Sequence, residues 1–206
     1  MMSPGRSREP SPTAAAIGFK RLAWSSAAVV TALLALFAIS AAHNAFVSAA
    51  SSSGLKVQDR SHDNDNPDNQ LYAHYQIINT GTSTVPLSSL TMRYWFTNET
   101  PADPLAFACD YALVGCNNIT ARFVVLSTPV NKANTVLEIT FNAAAGSLAP
   151  GQSSGEIQTR IHHAAYSNFN TTETYSFISD PSFIYKDTQT VTLYQNGSLV
   201  WGVEPT

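Results

Sequence analysis

From position 55 onward the chain repeats one theme: short runs of β-branched, aromatic and aliphatic residues separated by turn-forming ones. The runs are Leu55–Val57, Leu71–Asn79, Leu90–Thr97, Arg122–Leu126, Thr135–Phe141, Glu156–Ile161, Tyr175–Phe177, Thr190–Gln195 and Leu199–Trp201. Several alternate with a period of two, as half-buried strands do. In Thr135–Phe141, Val136, Glu138 and Thr140 fall on one side and Leu137, Ile139 and Phe141 on the other. Gly81, Pro86, Pro150-Gly151 and Asn196-Gly197 punctuate the runs, and the Asn/Asp-rich stretch 61–69 reads as a loop. Asn196-Gly197 is a hairpin signal, because both residues tolerate the positive φ of a type I′ turn. No window of this part carries the 3.6-residue period of an amphipathic helix. The pattern predicts an all-β fold of about nine short antiparallel strands, a two-sheet sandwich or jelly roll.

The first 53 residues follow other rules. Leu22–Ala42 is uncharged and rich in Ala, Leu and Val, and predicts an apolar leader helix. Basic residues precede it, and Val47-Ser48-Ala49 offers small residues at a plausible cleavage point, the order of parts in a secretory signal. The run is also long enough to span a bilayer. The order of parts favours cleavage and a secreted body. A retained leader would make a type II anchor with the body outside, and only then would the protein contact a membrane. Residues 2–16 hold three prolines and several serines without an apolar period, and read as a disordered extension. The expected organisation is therefore 1–53 as extension plus signal or anchor, and 54–206 as one folded module.

Charge divides at the same place. Residues 1–53 carry four Lys/Arg and one Glu, whereas 54–206 carry seven Lys/Arg against thirteen Asp/Glu, a formal charge of −6. An acidic body repels phosphate backbones, so no nucleic-acid partner is expected. Cys109 and Cys116 are the two cysteines, and their spacing fits no four-ligand zinc pattern. In an oxidising compartment they form either a small loop-closing disulfide or two packed thiols, and spacing alone leaves both open.

Catalytic signatures are missing. The chain has no nucleophile-elbow, zinc-protease or phosphate-loop motif. Adjacent His162 and His163 point to opposite faces if they lie on a strand, so they cannot chelate jointly. A carboxylate pair for glycoside hydrolysis can be drawn from thirteen acids, but Asp63, Asp65 and Asp68 crowd one loop, which reads as a solvated turn. Asn98, Asn118, Asn170 and Asn196 head Asn-x-Ser/Thr sequons, which matter only in a host that glycosylates exported proteins.

Several segments in order carry a family likeness: GLKVQ at 54–58, NTG at 79–81, TMRYWFT at 91–97, CDYALVGCNNIT at 109–120, YSNFNTTETYSF at 166–177 and VTLYQNGSLVWGVEP at 191–205. Together they resemble a family 3 carbohydrate-binding module over essentially all of 54–206. The resemblance implies a nine-stranded jelly-roll sandwich that binds crystalline cellulose, without catalysis, through a flat strip on one sheet. Carried over residue by residue, the strip comprises Asp110 and Tyr111 from the Cys-Asp-aromatic motif, Arg160 from the Ile-Gln-x-Arg strand, and Tyr166 before Ser-Asn. Gln158 and Asn69 match polar anchors beside it. Tyr166 stands where many cellulose binders have Trp, and the short 111–120 loop lacks a further strip tyrosine, so binding should be weaker than maximal. The rings of chitin present a similar face, so chitin remains a candidate ligand. The family also holds a structural calcium, whose ligands would be Thr97, Glu99, Asn170, Glu173 and Thr174. Here Thr174 replaces an expected Asp and Glu173 an expected Asn. Two other functions stand beside cellulose binding: a module that docks a protein or soluble glycan through the same face, and a glycoside hydrolase with an unrecognised carboxylate pair.

Overall fold

The computed structural model describes residues 54–60, 62–180 and 182–206; the extension and the predicted leader helix lie outside the described residues. Twelve strands are described: β1 Leu55–Arg60, β2 Gln70–Asn79, β3 Val85–Pro86, β4 Leu90–Phe96, β5 Leu105–Ala112, β6 Ile119–Val130, β7 Ala133–Phe141, β8 Ser147–Leu148, β9 Ile157–His163, β10 Lys186–Asp187, β11 Thr192–Gln195 and β12 Ser198–Trp201. Two five-stranded antiparallel sheets, ordered β10-β1-β2-β9-β5 and β12-β11-β4-β7-β6, form the two layers, and β3 and β8 pair separately. Among the described residues, no helix is long and apolar enough to cross a membrane.

The alternation read from the sequence decides what faces the core. Leu55, Val57, Leu71, Ala73, Tyr75, Ile77, Ile157 and Ile161 point inward from the first sheet. Leu90, Met92, Tyr94, Phe96, Leu137, Ile139 and Phe141 meet them from the second. Each such large apolar side chain contributes about 1.5–3 kcal/mol when fully buried. The other side of β7 behaves as expected. Val136 joins Trp95 and Ala133 in a small satellite cluster, and Glu138 is held by Arg93 and Arg122. The Asn196-Gly197 turn has φ of 50° and 82°, both positive as a type I′ turn requires.

Two expectations need correcting. Tyr175–Phe177 is a turn rather than a strand. Tyr175 packs on the Trp95 cluster, and the Ser176 amide donates to the Trp95 carbonyl while its hydroxyl accepts from the Trp95 amide. A single-residue graft of this kind satisfies the backbone without continuing a ladder. Conversely, β5 and the two-residue strands β3, β8 and β10 were not expected from the pattern, so twelve strands are described where about nine were expected. Of these β5 matters most. It lies at the edge of the first sheet, most of its residues are half-exposed, and its register shifts between Cys109 and Tyr111. Half-burial and a bulge together erase the period of two.

Candidate functional site

The outer face of the first sheet gathers the polar and aromatic residues of β2, β9 and β5. Along β9, Ile157, Thr159, Ile161 and His163 are buried, which turns Gln158, Arg160 and His162 outward. Each has a neighbour from the predicted strip. Tyr111 pairs in register with Gln158. The Asp110 carboxylate accepts from Arg160 Nε at 2.7 and 3.0 Å. Tyr166 stacks on His162 with ring centroids 4.7 Å apart and planes 7° from parallel.

The bulge in β5 makes this possible. Cys109 pairs with Thr159 and Tyr111 with Gln158, so Asp110 is the extra residue. In a regular strand consecutive side chains leave opposite faces; an inserted residue lets Asp110 and Tyr111 share one. The same segment is closed by a disulfide between Cys109 and Cys116, which resolves the two alternatives left by their spacing. The pair bounds the loop that carries Tyr111.

Tyr166 is held differently. Its φ is +56°, a region that non-glycine residues occupy uncommonly. Its amide donates to the His163 carbonyl at 3.0 Å. The Asp103 carboxylate accepts from the Ala165 amide at 3.0 Å and the Ser167 hydroxyl at 2.7 Å. Desolvation would raise the Asp103 pKa, but these hydrogen bonds outweigh it and hold the carboxyl below its ordinary value. The turn is therefore fixed on both sides of the ring. Tyr111 and Tyr166 are 47% and 48% exposed, their rings open to a ligand.

Hydrogen bonding to Asp110 is the leading cause that raises the Arg160 pKa. Arg160 Nη1 also donates to Gln70 Oε1 at 2.8 Å, and Gln70 Nε2 donates to the Tyr72 hydroxyl at 2.9 Å. Gln70 and Tyr72 were not singled out in the sequence, and His162 was weighed there only as a chelating partner of His163. Alternation with buried Leu71 and Ala73 on β2 would have put Gln70 and Tyr72 on this face. Asn69 is exposed in the turn just before β2.

The residues expected to hold calcium converge in part. The Asn170 amide donates to Glu99 Oε1 at 3.3 Å. Burial, and to a smaller degree the charge of Glu173, push the Glu99 carboxyl above its usual range. Thr174 Oγ1 is buried with no hydrogen-bond partner. A cation would relieve both the repulsion and the orphaned oxygen. The Asn170 carboxamide, however, accepts from the Thr172 amide and hydroxyl at 3.2 and 2.7 Å. Among the described residues no three His, Cys, Asp or Glu side chains form a metal-binding group, so a site here would need hydroxyl, amide or carbonyl oxygens beside the carboxylates of Glu99 and Glu173.

Comparison with known proteins adds what geometry does not. Residues 56–202 match the family model described as a cellulose binding domain. The chain belongs to the family 3 carbohydrate-binding modules. A biomass-sensing module of an Rsgi-like protein of Clostridium thermocellum superposes with a TM-score of 0.70 at 32% identity, covering 74% of this chain and 99% of that module. An endoglucanase A of Paenibacillus lautus is 44% identical over 154 residues, 74% of this chain but 21% of the enzyme. This family 3 chain spans about a fifth or less of the first enzymes it matches. It spans the whole of another Paenibacillus lautus protein, encoded in the celA 5′ region, at 38% identity over 149 residues.

Proposed function

We propose that this chain is a non-catalytic module that binds the surface of crystalline cellulose through the outer face of the first sheet. Tyr111 and Tyr166 would stack on pyranose faces, while Asp110, Arg160, Gln158 and Asn69 bond the hydroxyls around them. The observation that carries this reading is the Asp110–Arg160 ion pair beside two half-exposed tyrosines on one face. Rigid aromatic rings bring large contact area at low entropy cost. A partnered charge brings hydrogen bonds without the cost of desolvating a lone ion. Membership of a family described as cellulose-binding supports the same ligand.

Asp110 and Glu156 argue against a hydrolytic pair beside the strip. A glycosidase needs one carboxyl with a raised pKa and a second group opposite it, in contact with sugar. On this face Asp110 is committed to Arg160, and Glu156 is held below its usual value, chiefly by its hydrogen bond from Arg60. An exported location fits the basic-then-apolar leader in either of its two readings. Glu99 and Glu173, with oxygens of Thr97 and Thr174, would hold a hard divalent cation of the calcium class. Asn170 would join them on releasing Thr172. The cation would neutralise charge and tie the end of β4 to the 170–174 turn.

A pull-down on microcrystalline cellulose tests the reading, with chitin in parallel and with Tyr166→Ala as the variant. Wild type should be retained and the variant should elute earlier. Equal and negligible retention of both would overturn the proposal, and release of reducing sugar would return the hydrolase reading.

A further inference from the structure

The polar chain that starts at Asp110 does not end at Arg160. It continues through Gln70 to the Tyr72 hydroxyl, and Tyr72 lies beside Arg160 in register on β2. The Tyr72 ring is itself stacked by His62, with centroids 4.1 Å apart and planes 21° from parallel. His74 meets both rings edge-on, at 5.1 Å from His62 and 6.5 Å from Tyr72. His62 is exposed at the start of the β1–β2 loop. Further along, that loop is pinned: Asp68 and Phe169 exchange backbone hydrogen bonds, and Asn66 Oδ1 accepts from the Thr171 amide at 3.0 Å. The stack is thus built in before any ligand arrives.

We infer that Tyr72 and His62 form a third ring platform for glucan on this face, on the far side of β9 from Tyr111. This rests on the cellulose-binding reading and names residues it does not include. Tyr111 on β5 and Tyr72 on β2 are two strand spacings apart, roughly 10 Å across the sheet, and staggered by two residues along it, since Tyr111 pairs with Gln158 and Tyr72 with Arg160. Three groups on the face are then pre-ordered in the same manner: Tyr166 on His162, Asp110 on Arg160, and Tyr72 on His62. Ordering before contact removes a cost that binding would otherwise meet. The outer face of His62 offers a ring plane, and its nitrogens offer a donor and an acceptor for hydroxyls.

Adsorption isotherms on microcrystalline cellulose decide the matter, with wild type, Tyr166→Ala, His62→Ala, Tyr72→Ala and Tyr72→Phe, each checked by thermal unfolding. Loss of one stacking platform should weaken adsorption about fivefold or more in His62→Ala and Tyr72→Ala. Tyr72→Phe, which keeps the stack, should stay close to wild type. If Tyr72→Ala does not fold, His62→Ala carries the test, since His62 is outermost. Unchanged affinity in His62→Ala, while Tyr166→Ala loses binding, would overturn the third platform and leave the cellulose reading standing. Lowered melting of Tyr72→Ala with unchanged affinity would also overturn it, leaving Tyr72 a supporting role. Failure of wild type to adsorb would remove both.

Discussion

Asp59 sits on the inward side of β1, 3% exposed, in line with Leu55 and Val57. Its Oδ1 has no hydrogen-bond partner, and neither do the hydroxyls of Tyr75 beside it and Tyr94 on the facing sheet. Burial pushes its carboxyl well above the usual range, against weaker lowering by the Arg60 and His74 amides and the Arg60 charge. The folded state therefore holds a proton that the unfolded state releases, and stability declines as pH rises above the ordinary carboxyl value of 3.8. On the outer face His74, also 3% exposed, runs the other way. Burial lowers its pKa to about 4 from 6.5, so stability rises with pH across that window. Asp59→Asn should remove the first slope alone. Its melting temperature should match the parent near pH 4 and exceed it by a growing margin toward pH 8, because keeping the proton on the buried acid costs the parent up to about 1.4 kcal/mol for each pH unit. Thermal unfolding across pH checks this, and a constant offset between the two proteins would contradict it.

At the scale of elements, what the sequence discloses depends on how regular each strand is. β7 was readable because Leu137, Ile139 and Phe141 alternate strictly with Val136, Glu138 and Thr140. β5 was not, because a bulge interrupts it at the residue the site needs most, Asp110. The motif around Asp110, Tyr111, Arg160 and Tyr166 was recognisable without knowing their geometry. The place of Tyr72 followed from alternation, while that of His62 depends on how the 62–69 loop folds back, which no local pattern encodes. The expected calcium ligands likewise belong to two elements, Thr97 and Glu99 after β4 and Asn170, Glu173 and Thr174 in the turn beyond β9. A cation bridging them would bind only the folded state and so would stabilise by mass action. Millimolar calcium should raise the melting temperature by a few degrees, and chelation should reverse it. Calorimetry reads the effect, and identical melting with calcium and with chelator would dismiss the site.

For the folded module, net charge and the charge of the strip's ion pair are different matters. Residues 54–206 are acidic by six charges, yet the Arg160–Asp110 ion pair of the strip is internally balanced. Adsorption to an uncharged polymer through such a face should be indifferent to ionic strength. Raising salt from about 0.01 M to about 1 M shortens the screening length from ~30 to ~3 Å, enough to abolish long-range attraction. Cellulose isotherms at the two extremes should coincide, and weaker binding in high salt would mean that net charge draws the protein in. A glucan chain carries no charge that could pin the Arg160–Asp110 pair to one spot, and its ring faces recur along its length. A shift by one repeat restores the same stacking and the same hydrogen bonds. The bound protein would then meet a corrugated track rather than a single well, held firmly against leaving the surface and weakly against sliding along it.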